Sequence, residues 1–107
     1  MKGMTFMEIV KKNSEDGIVL ELTGKLDTNT APELETTITS LLVSEEVKNL
    51  ELDMAGITYL SSAGLRVLLA TQKKINALQG QMVITNASKT LKEVFEITGF
   101  MGILTIA

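Results

Sequence analysis

The feature that most restricts how this chain can fold is the stretch Gly56 to Gln79, where a buried strand hands over to a long helix through two adjacent serines. Before it, Asn49-Leu50-Glu51-Leu52-Asp53-Met54 reads as a strand. After it, Leu65, Leu68, Ile75 and Leu78, with Leu69, fall on one side at helical spacing and predict an inward face. On the far side Arg66, Ala70, Lys73 and Ala77 form an outward, basic stripe. Small residues crowd the point where the helix begins, because Ser61 and Ser62 are followed by Ala63 and Gly64. Serine is a favoured N-cap, since its oxygen accepts from amides that the first turn leaves unpaired. That end also carries a positive partial charge, so a phosphate placed there meets donors and a favourable dipole. A hydroxyl on such a turn is a workable switch. The plainer alternative is that one serine caps the helix and the other only fills a tight turn.

The rest of the chain repeats the alternation of strand and helix. Thr5 to Val10 predicts a short edge strand, Asn13 to Gly17 a turn, and Ile18 to Thr23 a half-buried strand, the two strands forming an antiparallel hairpin. Gly24 to Asn29 reads as a loop. A first helix follows, with Thr30 and Glu33 spaced as a capping box and Pro32 tolerated in the first turn. Its inward stripe is Ala31, Leu34, Ile38, Leu41 and Leu42. Met82 to Thr85 is another short buried strand. Ser88 caps a third helix with Leu91, Val94 and Phe95 inward, Gly99 stands at its C′ position, and Phe100 folds back over that end. Ile103 to Ala107 is a last short strand or an ordered tail.

This order predicts a single α/β domain over residues 1–107, with a mixed, mostly parallel sheet and about three helices packed on it. One hundred and seven residues with 45% hydrophobic side chains suffice for one core. Aromatic residues are few, so Leu, Ile, Val and Met must do the packing.

Composition removes several functions. A net charge of −3 and a single arginine argue against nucleic acid, which needs a clustered basic surface. No cysteine means no disulfide, thiolate metal site or thiol catalysis. No histidine removes the usual general base and the commonest zinc ligand. No Gly-x-Ser-x-Gly elbow precedes the helix, and the glycines form neither a Walker loop nor a dinucleotide fingerprint. Asp53 at a strand end is a polar terminus or a partner for loop amides before it is a catalytic group. The expectation is no catalysis, no cofactor and no metal. No apolar run approaches the ~18 residues of a membrane span, and the first residues lack a signal-peptide core. The expected setting is cytoplasmic, without membrane contact.

Three segments resemble a known family. Leu52 to Leu68, reading LDMAGITYLSSAGLRVL, is similar to the signature region of STAS domains of the anti-sigma factor antagonist type. Gly24 to Leu34 and Val94 to Phe100 resemble two further segments of that family, in the same order. The resemblance implies a binding protein switched by phosphorylation, not an enzyme. Its unphosphorylated form would bind an anti-sigma factor, a serine kinase of the GHKL type, and so free a sigma factor. The kinase would phosphorylate the signature serine, and a PP2C-like phosphatase would restore it. By register Ser62 matches that serine, Gly64 and Leu65 match the Gly-Leu that follows, and Asp27 matches an acidic loop residue at the partner contact. Ser61 stands where many members carry Asp, which leaves it as the alternative acceptor. Arg66 stands where a small residue is frequent. The expected docking surface is therefore Asp27, Thr28 and Asn29, the turn Ser61, Ser62, Ala63, Gly64 and Leu65, and the outer helix face with Arg66 and Lys73. The alternatives are a STAS module of another system, such as a stress-sensing scaffold or a transporter-associated tail, and an unrecognised hydrolase or nucleotide-binding protein.

Overall fold

The computed structural model describes residues 7–44 and 47–107. Its elements are β1 (Met7–Asn13), β2 (Ile18–Leu26), α1 (Ala31–Ser44), β3 (Asn49–Leu60), α2 (Ser62–Ala77), β4 (Gln81–Thr85) and α3 (Lys89–Ile97). The four strands form one sheet in the order β1-β2-β3-β4. β1 and β2 pair antiparallel, while β2–β3 and β3–β4 are parallel. The mixed, mostly parallel sheet with an N-terminal hairpin and three helices is the architecture expected.

Both parallel connections step the same way along the sheet. Right-handed crossovers then put α1 and α2 on the same face, where they pack on each other and bury Leu20, Leu22, Leu52, Met54, Leu68 and Ile75. The other face carries the alternate residues Glu21, Glu51, Asp53 and Thr85, half-buried and satisfied locally. Thr85 donates to Glu51 (2.8 Å), and Asn86 donates to Asp53 (3.0 Å). Asp53, expected at a strand end, lies inside β3, because that strand runs on to Leu60, and it also accepts from the Ala55 amide of the same strand (3.0 Å). Beyond β4, Ile106 bridges to Ile84 in parallel, so the tail is tied to the sheet edge.

The strands are longer than the sequence suggests. β1 continues through Lys11, Lys12 and Asn13, while Thr5 and Phe6 lie outside the described residues. β2 takes in Gly24, Lys25 and Leu26, expected as loop, and β3 runs on to Leu60. The cause is a pair of irregularities. Between Glu21 and Thr23 of β2, and again between Gly24 and Lys25, β3 carries one extra residue. Each breaks the alternation, so the buried residues of β3 run Leu50, Leu52, Met54, then Ile57 and Leu60 at spacings of three. Gly56 sits at the first, where a Cβ would stand 2.7 Å from the Thr23 hydroxyl.

The helix ends also differ in detail. Thr30 does not cap α1. Its hydroxyl donates to the Lys25 carbonyl (2.7 Å) and accepts from the Asp27 amide (2.9 Å). The Asp27 carboxylate takes over instead, accepting from the amides of Asn29 (2.9 Å) and Thr30 (3.2 Å). At the far end of α2, Leu78 is 44% exposed rather than inward, because the helix stops at Ala77 and Gln79 turns the chain at φ 62. In α3 the expectations hold. Ser88 accepts from the Leu91 amide (3.1 Å), Gly99 has φ 81, and Phe100 donates to the Phe95 carbonyl (2.9 Å). These two last features form a Schellman motif.

Candidate functional site

The site forms where β2 and β3 end side by side and α2 begins. The Ser61 amide donates to the Leu26 carbonyl (3.0 Å), fastening the turn to the end of β2. Ser61 has extended backbone (φ −98, ψ 173), and its hydroxyl accepts from the Gly64 amide at 3.3 Å, so it is the N-cap. Ser62 is then the first helical residue. It is exposed, and among the described residues its hydroxyl has no hydrogen-bond partner. One serine is used by the fold and the other is presented to solvent.

Gly64 lets this turn lie flat on the sheet. A Cβ there would be 2.7 Å from Leu26 Cγ, 2.9 Å from Leu60 Cδ1 and 3.0 Å from the Leu26 carbonyl. Leu65 follows at 5% exposure, anchored in the core. Gly64 and Leu65, expected on the docking surface, are instead buried under the turn and position it. The inward direction of Leu65 follows from the same helical spacing that faces Ser62 and Arg66 outward.

The other expected residues group around the turn. Thr28 and Asn29 are exposed, and Asp27 is half-buried with its carboxylate on the loop amides. Thr28, Ala63 and Arg66 share a groove of about 380 Å³ between α1 and α2. Its remaining wall is Ala31, Pro32, Glu35, Val67 and Ala70. Lys73 is exposed but lies outside this groove, about two turns further along α2. Pro32 and Glu35 line the groove without having been expected there. Their signal was available, because both stand off the inward stripe of α1 on the side that a right-handed crossover turns toward α2.

Among the described residues no group of three or more His, Cys, Asp or Glu could hold a metal ion. Nor is any described helix long and apolar enough to cross a membrane. What remains is an exposed hydroxyl on a rigid turn, beside a shallow groove of small side chains rimmed by one cation and one carboxylate. Such a surface can dock a protein and can be changed by a charge.

The family model described as the STAS domain matches residues 8–107. The chain belongs to the STAS domain family. Among its relatives is the anti-sigma-B factor antagonist of Listeria monocytogenes, 30% identical over 97 residues and covering 91% of this chain and 84% of the relative. The STAS fold is equally plain in solved structures. An anti-sigma factor antagonist from Mycobacterium paratuberculosis superposes with a TM-score of 0.86 at 21% identity, over 99% of this chain and 89% of that one. The antagonist SpoIIAA, solved unphosphorylated, superposes with a TM-score of 0.80 at 19% identity, over 94% and 88% of the two chains.

Proposed function

We propose that this STAS protein is an anti-sigma factor antagonist working as a phosphorylation switch. In its unphosphorylated form it binds an anti-sigma factor that is a serine kinase of the GHKL type, and a sigma factor is released. The kinase transfers a phosphoryl group to Ser62, the complex separates, and a PP2C-like phosphatase returns the protein to its binding form. The protein acts in the cytoplasm by binding and carries no catalysis of its own. The relatives named as antagonists support the general role, and the solved phosphorylated form of SpoIIAA shows that a member of this fold takes such a modification.

The observation that carries the choice of residue is the division between the serines. The Ser61 hydroxyl is occupied by the Gly64 amide, whereas the Ser62 hydroxyl is exposed and has no partner among the described residues. A phosphate adds about −1.5 to −2 charges and three acceptor oxygens. At Ser62 it can be added without refolding the turn, yet it stands on the surface a partner must cover. A hundredfold loss of affinity needs only about 2.7 kcal/mol, which one misplaced dianion supplies.

The test is calorimetric titration of Ser62→Ala and Ser62→Glu against the partner kinase, with mass spectrometry of the wild type after incubation with kinase and ATP. The expected result is binding by the alanine variant, weak binding by the glutamate variant, and phosphate on Ser62. Equal affinities for the two variants would reject the switch, and phosphate on Ser61 would reject the assignment of the residue.

A further inference from the structure

The geometry points to Arg66 as a clamp for the phosphorylated side chain: once Ser62 carries phosphate, the Arg66 guanidinium folds back across the first turn of α2 and holds it. This rests on Ser62 being the residue modified. Residues 62 and 66 are four apart on α2, and both are exposed. Side chains at that spacing are neighbours, with Cβ atoms about 5–6 Å apart. Helical side chains also lean toward the N-terminus, so Arg66 covers the turn that Ser62 opens.

Arg66 is free for the task. Among the described residues it makes no ion pair or hydrogen bond. Glu35 lines the same groove from α1 without pairing with it, and the Asp27 carboxylate is turned onto the loop amides. Arg66 is also the sole arginine of the chain, and therefore the one side chain able to offer a phosphate the flat, two-pronged donor set of a guanidinium. Ser61 stands five residues away, with its hydroxyl turned in on Gly64, so the clamp distinguishes the two serines.

The clamp changes how the switch works. In the unphosphorylated protein Arg66 is available to a carboxylate on the partner. Phosphorylation then removes that cation from the surface at the same time as it adds negative charge. The phosphate acts partly by subtraction.

The experiment uses the full chain with phosphoserine installed at position 62 during translation, so that no kinase is needed. Phosphorus NMR follows the second ionisation of the phosphate in the wild-type, Arg66→Lys and Arg66→Gln backgrounds. A nearby guanidinium favours the dianion, so the wild-type midpoint should lie about half a pH unit below that of Arg66→Gln, with Arg66→Lys between them. Coincident midpoints in wild type and Arg66→Gln would overturn the clamp. Titrating the partner kinase with phosphorylated and unphosphorylated wild type separates the two claims. If both forms bind equally, the switch reading fails whatever the phosphorus midpoints show; if they differ but the midpoints coincide, only the clamp fails.

Discussion

Gly64 and Leu26 meet so closely that a methyl group on the glycine would stand 2.7 Å from the leucine's Cγ. The contact joins the first turn of α2 to the end of β2, and the neighbouring hydrogen bond from Ser61 to the Leu26 carbonyl (3.0 Å) fixes its height. Together they hold Ser62 where it is. Ser62 owes its position to a pair of buried residues beneath it.

Gly64→Ala should therefore lose stability despite gaining helix propensity. The propensity gain is at most about 1 kcal/mol, and less in a first turn. Forcing a methyl group against Leu26 and Leu60, both buried, costs about 1–3 kcal/mol. A net loss of about 1–2 kcal/mol should appear in urea denaturation, and a raised midpoint would show that the turn has room to spare.

The two serines should separate cleanly. Ser61→Ala removes the oxygen that accepts from the Gly64 amide and should cost about 1 kcal/mol, as loss of an N-cap does. Ser62→Ala removes an exposed hydroxyl that has no partner among the described residues and should move stability by no more than about 0.5 kcal/mol. Thermal denaturation of the two variants side by side checks this. Equal losses would mean that the capping role is shared.

Gln72 predicts a gain. It lies on α2 at 6% exposure, and its Oε1 is buried without a hydrogen-bond partner. A buried acceptor left unpaired costs about 1–3 kcal/mol. Methionine nearly matches its length and needs no partner, so Gln72→Met should raise the melting temperature even though it gives up the bond from Nε2 to Asn76 (3.0 Å). A lower melting temperature would show that the carboxamide is satisfied in solution.

Most of this architecture was legible in the sequence, for a physical reason. The inward stripes of α1 and α3, the Ser88 cap and the Gly99 turn follow from local spacing, which tertiary structure did not override. β3 was read too short because its two extra residues spoil the period that marks a strand. No single-strand pattern can reveal a bulge defined by the neighbouring strand. Thr30 and Glu33 have the spacing of a capping box, yet the hydroxyl serves Lys25, five residues back, across the end of β2. The exposed residues Thr28, Asn29, Ser62, Arg66 and Lys73 were legible as a group through the family resemblance. The groove that Thr28 and Arg66 line was not, since it depends on how α1 and α2 pack.

Asp27 offers a way to tell a structural carboxylate from a recognition carboxylate. It accepts from the amides of Asn29 and Thr30, which orders the loop that leads into α1. Asp27→Asn keeps an acceptor oxygen and removes the charge, whereas Asp27→Ala removes both. If the carboxylate serves only the loop, Asp27→Asn should fold and bind as the wild type does, while Asp27→Ala loses about 1 kcal/mol of stability. The resemblance of this loop to a partner-contacting segment favours a different outcome. Asp27→Asn should stay within about 0.5 kcal/mol in stability yet bind the anti-sigma partner at least tenfold more weakly, a loss of about 1.4 kcal/mol. Calorimetry against the partner and denaturation of the free protein, run on both variants, check the two quantities separately. Wild-type affinity in Asp27→Asn would reduce this residue to a cap, and would leave Thr28, Asn29 and Arg66 as the polar contacts of the docking surface.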